Sequence, residues 1–140
     1  MDDELDFLDS NVWLYTLITG QDPRKHALAM ELVRNSNIRI STQVVGEVCN
    51  ALIRKTKTPE SKIKTLIGDF YERYQSIEIH RPEQLVHASD LREQYRFSHW
   101  DSLIVVAALE SGCTTLYSED MHDGLVVEGT LTIKNPFRGA

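Results

Sequence analysis

The sequence predicts a three-layer α/β/α fold, with a central, mostly parallel sheet and helices on both of its faces. Short β-rich or apolar runs alternate along the chain with longer segments whose apolar residues recur at helical spacing. Strands that alternate with helices in this way are typical of parallel sheets. No repeat, low-complexity segment or linker divides the 140 residues, so we expect a single domain spanning residues 1–140.

The first half of the chain contains two predicted strands and three predicted helices. In order, they are a strand at 5–8, a helix at 24–35, a strand at 38–41, and helices at 42–55 and 58–74. Pro23 and Pro59 stand at or near the starts of two helices, where proline is tolerated. Thr42 is a candidate N-cap for the helix that follows the second strand.

The second half of the chain continues the alternation. Its predicted elements are strands at 76–80, 114–118 and 130–136 and helices at 82–96 and 98–112. The last of these helices is almost wholly apolar, which predicts a buried position. Ser98 is its candidate N-cap and Gly112 its terminator, while Pro136 closes the final strand.

Composition and charge restrict the class of protein. The chain is 41% hydrophobic and 26% charged, as in an ordinary globular protein, and no apolar run reaches the roughly 20 residues that span a bilayer. The acidic N-terminus lacks the basic region of a signal peptide, so we expect a cytoplasmic protein without a membrane partner. The net charge of −6 disfavours a nucleic-acid partner, unless carboxylates cluster around bound cations.

Four carboxylates occupy unusual places in this pattern. Asp9 interrupts an apolar stretch at the end of the first predicted strand, and Asp120 follows the strand at 114–118. Glu47 lies close to the apolar stripe of its helix, and Asp101 opens the most hydrophobic helix of the chain. Ligands of open α/β sheets bind beyond the carboxyl ends of the strands, so we expect a functional edge where Asp9 and Asp120 stand.

Taken singly, each of these acids also has a structural explanation. Asp9 can cap a following helix, Glu47 can reach solvent, Asp101 can complete a capping box, and Asp120 and Asp123 can be turn residues. Together these explanations are less convincing, because independent caps and turns have no reason to converge on one edge of a sheet.

Carboxylates gathered at one site repel one another unless some of them protonate or a cation binds between them. Mg²⁺ and Mn²⁺ prefer hard oxygen ligands, and a bound cation of this kind can activate water and stabilise the developing charge of a phosphodiester. Metal-assisted phosphodiester hydrolysis is therefore the reaction that the four acids suit best. No Cys or His spacing typical of a zinc site is present.

The stretches "FLDSNVWLY", "STQVVGEVCNAL", "HWDSLIVVAALESGCTTLYSED" and "LTIKNPF" resemble PIN-domain ribonucleases, in particular the toxins of VapC-type toxin–antitoxin pairs. The resemblance covers roughly residues 5–137 and implies a PIN-like fold. The metal ligands that it implies are Asp9, Glu47, Asp101 and Asp120. It also implies supporting roles for Asn11 and Ser118, and an auxiliary ligand role for Asp123.

The activity implied by this resemblance is Mg²⁺- or Mn²⁺-dependent endonucleolytic cleavage of RNA by an activated water, without a covalent enzyme intermediate. The resemblance further implies a homodimer and an antitoxin protein whose peptide blocks the acidic pocket.

Three other functions remain open on the sequence. A phosphoacceptor receiver domain would use Lys134 before Pro136, but its acceptor should follow a strand near mid-chain, where the helix with Glu47 lies. A haloacid-dehalogenase-type phosphatase needs a second acid where Asn11 stands. A catalytically inactive PIN fold that serves as an interaction module is the third, although all four acids are present.

Basic and aromatic residues also allow both a functional and a structural interpretation. The basic stretch 54–64 can follow an RNA backbone, but a solvated turn between helices explains it slightly better. Trp13, Tyr15 and Trp100 can stack on bases, although hydrophobic packing explains them more simply.

Overall fold

The computed structural model describes residues 4–139, which form six strands and six helices. The strands are β1 (Leu5–Leu8), β2 (Ile38–Ser41), β3 (Gln75–Ile77), β4 (Cys113–Tyr117), β5 (Val126–Val127) and β6 (Leu131–Lys134). The helices are α1 (Ser10–Leu17), α2 (Pro23–Asn35), α3 (Thr42–Thr56), α4 (Glu60–Arg73), α5 (Pro82–Tyr95) and α6 (His99–Glu110).

The strands form one sheet in the order β3-β2-β1-β4-β6-β5. All neighbouring pairs are parallel except β5 with β6, which are antiparallel. The central strand β1 lies between β2 and β4, and Leu8 is in register with Tyr117. The carboxyl ends of β1 and β4 therefore meet at the same edge of the sheet.

The sheet is buried on both faces, as the predicted three-layer α/β/α fold requires, and this prediction is confirmed. Phe7 and Leu8 are adjacent in β1 and point to opposite faces, yet both are fully buried. Helix α6 is buried along the run from residue 102 to 108, as its apolar sequence predicts. No helix within residues 4–139 is both long and apolar enough to cross a membrane.

The predicted helix ends are mostly confirmed, with one correction. Ser98 caps α6, because its hydroxyl accepts a hydrogen bond from the Asp101 amide, and Gly112 has the positive φ of +79° that suits a helix terminator. The N-cap of α3 is Ser41 rather than Thr42, since the Ser41 hydroxyl accepts from the Val44 amide at 3.2 Å. The prediction was wrong by one residue because either hydroxyl can cap a helix.

Several strand bounds differ from the expectation, most clearly those of β3 and β5. β3 covers Gln75–Ile77 instead of residues 76–80, and it pairs only with β2, so one neighbour sets its length. β5 consists of Val126–Val127 alone and was not predicted. A two-residue strand is too short to show an alternating pattern, and only its pairing with β6 defines it.

Candidate active site

An acidic pocket of about 390 Å³ lies where the carboxyl ends of β1 and β4 meet. All four carboxylates singled out in the sequence line it, together with Asn11. The lining residues are Asp9, Ser10, Asn11, Leu14, Glu47, Asn50, Ala51, Arg54, Lys55, Asp101, Ile104 and Asp120. Residues far apart in the chain are thus brought together at the edge of the sheet where ligands of α/β folds bind.

Asp9 is the most buried of the four acids, with 6% of its surface exposed. It directly follows β1 and caps α1, and its Oδ1 accepts a hydrogen bond from the Ser10 amide at 2.7 Å. Its own amide donates to the Tyr117 carbonyl at 2.9 Å, which fixes it against the end of β4. The capping role and the pocket position are therefore properties of the same residue.

The environment of Asp9 makes its negative charge costly. The pKa of its carboxyl is raised from 3.8 to about 6, chiefly by burial and also by the charges of Glu47 and Asp101, while hydrogen bonds from Ser118 and Ser10 lower it. The folded protein therefore holds a carboxylate that is poorly solvated and faces two like charges. A cation placed among these groups would offset both effects.

Ser118 lies beneath the pocket and is fully buried. Its hydroxyl donates to Asp9 Oδ2 at 2.8 Å and accepts from the amides of Asp120 and Met121, each at 3.3 Å. One hydroxyl group thus connects the first carboxylate to the loop that holds the fourth. The supporting role expected for Ser118 stays a prediction.

Asn11 makes a second connection between α1 and the loop after β4. Its Nδ2 donates to Asp120 Oδ2 at 3.1 Å, and its Oδ1 accepts from the Glu119 amide at 3.3 Å. Since an asparagine side chain both donates and accepts, it orients Asp120 without adding charge to the pocket.

Glu47 and Asp101 approach the pocket from two helices, α3 and α6. Glu47 Oε2 accepts a hydrogen bond from Gln43 Nε2 at 3.0 Å, one helical turn away. Burial raises the pKa of Asp101, a hydrogen bond with Ser98 lowers it, and the charges of Glu47 and Asp120 raise it again. The mutual repulsion of the acids therefore extends across the pocket.

The donor set suits a hard divalent cation, although the carboxylates do not close around one point. Within residues 4–139, no three His, Cys, Asp or Glu side chains converge closely enough to hold a metal ion. The oxygen atoms of four carboxylates nevertheless face one pocket, and Mg²⁺ typically uses one or two carboxylates with water and phosphate as its remaining ligands. The residues present thus fit Mg²⁺ or Mn²⁺ by their chemistry.

Asp123 lies outside the residues that line the acidic pocket. Its Oδ2 accepts from Arg138 Nε at 2.8 Å and its Oδ1 from the Asn135 amide at 2.7 Å, and these contacts lower its pKa. The Asp123 carboxylate thus links the loop after β4 to the C-terminal segment by hydrogen bonds. Its expected role as an auxiliary ligand stays a prediction.

Three further residues contribute to the site or its surroundings, and of these only Asn50 was not considered in the sequence. Glu119 pairs with Lys25 and accepts from the Tyr15 hydroxyl at 2.9 Å, which ties the loop after β4 to α1 and α2. Asn50 and Arg54 line the pocket because they follow Glu47 by three and seven residues on the same face of α3. That helical spacing is a signal that the sequence already contained.

Comparisons with known proteins agree with this architecture. The profile of the PIN domain family matches residues 7–122, whereas no curated protein matches the chain significantly in sequence. A toxin–antitoxin complex from Klebsiella pneumoniae is similar in structure, with a TM-score of 0.69 and 16% identity over 94% of this chain and 98% of that chain.

Two further solved structures are similar. VapC20 of Mycobacterium tuberculosis, a toxin that cleaves the sarcin–ricin loop, has a TM-score of 0.65 and 17% identity over 79% of this chain and 86% of its own. DNA-bound VapBC of Salmonella typhimurium has a TM-score of 0.65 and 16% identity over 95% of this chain and 98% of that chain. At these identities the likeness shows a shared fold.

Proposed function

The chain belongs to the PIN domain family, and we propose that it is a metal-dependent endoribonuclease, the toxin of a toxin–antitoxin pair. The observation that supports this most is the meeting of Asp9, Glu47, Asp101 and Asp120 in one pocket at the carboxyl ends of β1 and β4. Family membership supports a nuclease, and the similar structures of VapC-type toxins and their complexes support a toxin.

In this proposal the four carboxylates hold Mg²⁺ or Mn²⁺, with Asn11 and Ser118 orienting Asp120 and Asp9. When bound, such a cation lowers the pKa of a water molecule and stabilises the charge that develops on the scissile phosphate. Asp9 supplies the buried end of the site, where little water competes for its oxygens. Arg54 and Lys55 at the pocket wall attract the phosphate backbone and offset the overall negative charge of the chain.

An antitoxin protein and a second copy of the chain are the proposed protein partners. Two of the similar structures, the toxin–antitoxin complex of Klebsiella pneumoniae and DNA-bound VapBC, support such a partner, and the acidic pocket is open to a peptide that could block it. A basic side chain from such a peptide would neutralise the carboxylates as a cation does. The proposed setting is the cytoplasm.

The deciding experiment is cleavage of a mixed RNA substrate by the wild type and by Asp101→Asn, with Mg²⁺, with Mn²⁺ and with a chelator. We expect metal-dependent cleavage that Asp101→Asn loses, because asparagine keeps the shape of the side chain but removes its charge. Calorimetric titration with Mg²⁺ on the same samples is expected to show weaker binding to the variant.

Folding of both proteins is checked by circular dichroism. If the folded wild type binds Mg²⁺ but cuts no RNA, the nuclease is refuted for this substrate pool. If it neither binds a divalent cation nor cuts, the inactive interaction module replaces the nuclease as the function of this fold.

A further inference from the structure

An exposed tryptophan stands immediately beside the acidic pocket. Trp100 lies in the first turn of α6, next to Asp101, and 59% of its surface is exposed. Hydrophobic packing explains Trp13, which is 5% exposed, but it does not explain Trp100. A large apolar side chain left in water at the edge of a site is a common feature of binding surfaces.

The position of Trp100 is fixed by its neighbours. Gln43 Nε2 donates both to the Trp100 carbonyl at 3.2 Å and to Glu47 Oε2 at 3.0 Å, so one amide connects the tryptophan to a carboxylate of the acidic pocket. The His99 ring packs edge-on against the indole, with 4.7 Å between the ring centroids. The indole is therefore supported from the side before any ligand binds.

Trp100 forms one wall of a shallow depression of about 310 Å³, which we call the Trp100 pocket. Its lining residues are Gln43, Gly46, Glu47, Asn50 and Trp100. Glu47 and Asn50 also line the acidic pocket, so the two depressions are adjacent. The Trp100 pocket combines one aromatic wall with two amide side chains that can donate and accept hydrogen bonds.

Gly46 keeps the Trp100 pocket open. It lies in the interior of α3, where glycine favours the helix less than alanine does. A Cβ added at Gly46 would meet no atom within 4 Å, so packing inside the protein does not require a glycine there. Gly46 is exposed and lines the depression, so the space in front of it is part of the Trp100 pocket.

We propose that the Trp100 pocket binds the base of an unpaired nucleotide beside the scissile phosphate, with the base stacked on Trp100 and its edge bonded to Asn50 and Gln43. This inference rests on the proposed ribonuclease function and adds to it a binding site for one base. Bases become available for stacking on an aromatic side chain only where RNA is unpaired.

The polarity of the Trp100 pocket favours a nucleotide over a second copy of the chain. The centres of protein–protein interfaces are depleted of charge, whereas this depression includes the Glu47 carboxylate and two amides. A second surface also borders Trp100 and includes the apolar side chains of Ile77, Leu85 and Leu103. Burial of that surface against a second copy is the competing explanation for the exposed indole, and the test is designed to separate the two.

The test compares Trp100→Ala, Trp100→Phe and Gly46→Ala in steady-state cleavage of an unstructured RNA labelled with a fluorophore and a quencher. Trp100→Ala is expected to raise KM about 10- to 100-fold, as expected for the loss of one stacked base, with little change in kcat. Trp100→Phe keeps an aromatic face and is expected to recover most of the loss. A duplex of the same sequence is expected to be a poor substrate for the wild type.

Gly46→Ala separates binding from stability. Alanine at this helical position is expected to raise the melting temperature while it raises KM, because its methyl group occupies the depression. Gly68→Ala is the matched control, since Gly68 is also an exposed helical glycine whose added Cβ would meet nothing within 4 Å. It is expected to raise the melting temperature without changing KM.

A binding measurement keeps the inference independent of cleavage. Quenching of tryptophan fluorescence by the same RNA, without labels and with Ca²⁺ in place of Mg²⁺, is expected for the wild type and absent in Trp100→Phe. If the wild type cuts nothing but shows this quenching, the ribonuclease proposal fails and the nucleotide pocket stands. Unchanged KM and unchanged quenching in Trp100→Ala would overturn the pocket. The pocket would also be overturned if Trp100→Ala changed the oligomeric state in sedimentation velocity enough to explain its whole rise in KM, and if Gly46→Ala left KM unchanged.

Discussion

The two sides of the acidic pocket are built differently. The strand side, Asp9 and Asp120, follows the central strands and is held by Ser118, Asn11 and several backbone amides. The helix side, Glu47 and Asp101, projects from α3 and α6, and Gln43 is the side-chain partner of Glu47. The strand side is thus held by more hydrogen bonds, and we expect the helix side to adjust more when a cation binds.

This difference explains why the four acids share a pocket without closing around one point. Fixing all four carboxylates close together in the absence of a cation would add repulsion to the desolvation that already raises the pKa of Asp9 and Asp101. A rigid half with an adjustable half avoids part of that cost. It also makes the two halves separable by substitution.

The largest expected effect is that of Asp9→Asn. We expect cleavage to fall more than about 100-fold, beyond the loss typical of removing a supporting partner. The same substitution is expected to stabilise the fold at neutral pH, although it removes activity. The pKa of Asp9 is about 6 in the folded protein and 3.8 ordinarily, so the carboxyl binds its proton more tightly when folded. The stabilisation that this tighter proton binding gives the fold is therefore fully present below the ordinary pKa, and it is lost as the pH rises through about 6.

The measurement is urea denaturation in chelator at several pH values. The raised pKa of Asp9 destabilises the wild type as the pH rises. Between about pH 4 and pH 7, the free energy of unfolding of Asp9→Asn is therefore expected to gain about 2 kcal/mol relative to the wild type. Asp101→Asn, at a less buried position, is the comparison and is expected to gain less. Parallel pH curves for the wild type and Asp9→Asn would show that the Asp9 carboxylate is solvated in the folded protein.

A smaller effect is expected when the support of each side is removed. Ser118→Ala deletes the hydroxyl that joins Asp9 to the loop of Asp120, and we expect the affinity for Mg²⁺ to fall about 10- to 100-fold. Gln43→Ala removes the side-chain partner of Glu47 and is expected to change that affinity much less. The half-saturating Mg²⁺ concentration for cleavage and calorimetric titration both measure it.

Ser111→Ala is a matched control for Ser118→Ala, because the Ser111 hydroxyl bonds only within α6 and its C-cap, to the Ala107 carbonyl. Ser118→Ala is also expected to destabilise the fold by about 1–3 kcal/mol, since two amides lose their acceptor. Titrations are therefore run well below its melting temperature. Equal losses of Mg²⁺ affinity in Ser118→Ala and Gln43→Ala would remove the distinction between the two sides.

The strand side and the helix side of the acidic pocket also differ in how far the sequence predicts them. Asp9 and Asp120 are identifiable because a charge that ends an apolar strand is a local pattern, and the topology of a parallel sheet brings such ends together. Glu47 and Asp101 are placed on helices by the sequence, but their approach to the pocket depends on how α3 and α6 pack. The contact of Gln43 with Trp100 depends on the same packing.

The environment of Trp100 illustrates the limit of pattern reading. Most of α6, from residue 103 to 108, is apolar and buried, so the sequence favours packing for Trp100 as well. It lies in the first turn, however, on the side of α6 that faces away from the core, and its indole reaches solvent. Local periodicity does not fix the direction of a residue at the very start of a helix that is apolar on all sides.

The smallest expected effect belongs to Asp123, which lies beside the strand side without lining the pocket. Asp123→Asn is expected to leave the half-saturating Mg²⁺ concentration unchanged, because the carboxylate is engaged by Arg138 and the Asn135 amide. Because its pKa is lowered, the Asp123 carboxylate stabilises the fold at pH values above its ordinary pKa, and this stabilisation is lost as the pH falls. The stabilisation is small because the ion pair with Arg138 is exposed. Arg138→Gln, which frees the carboxylate without removing it, is the control. A shift of Mg²⁺ affinity in Asp123→Asn as large as that in Ser118→Ala would make Asp123 a ligand, recruited when the loop after β4 rearranges around the cation.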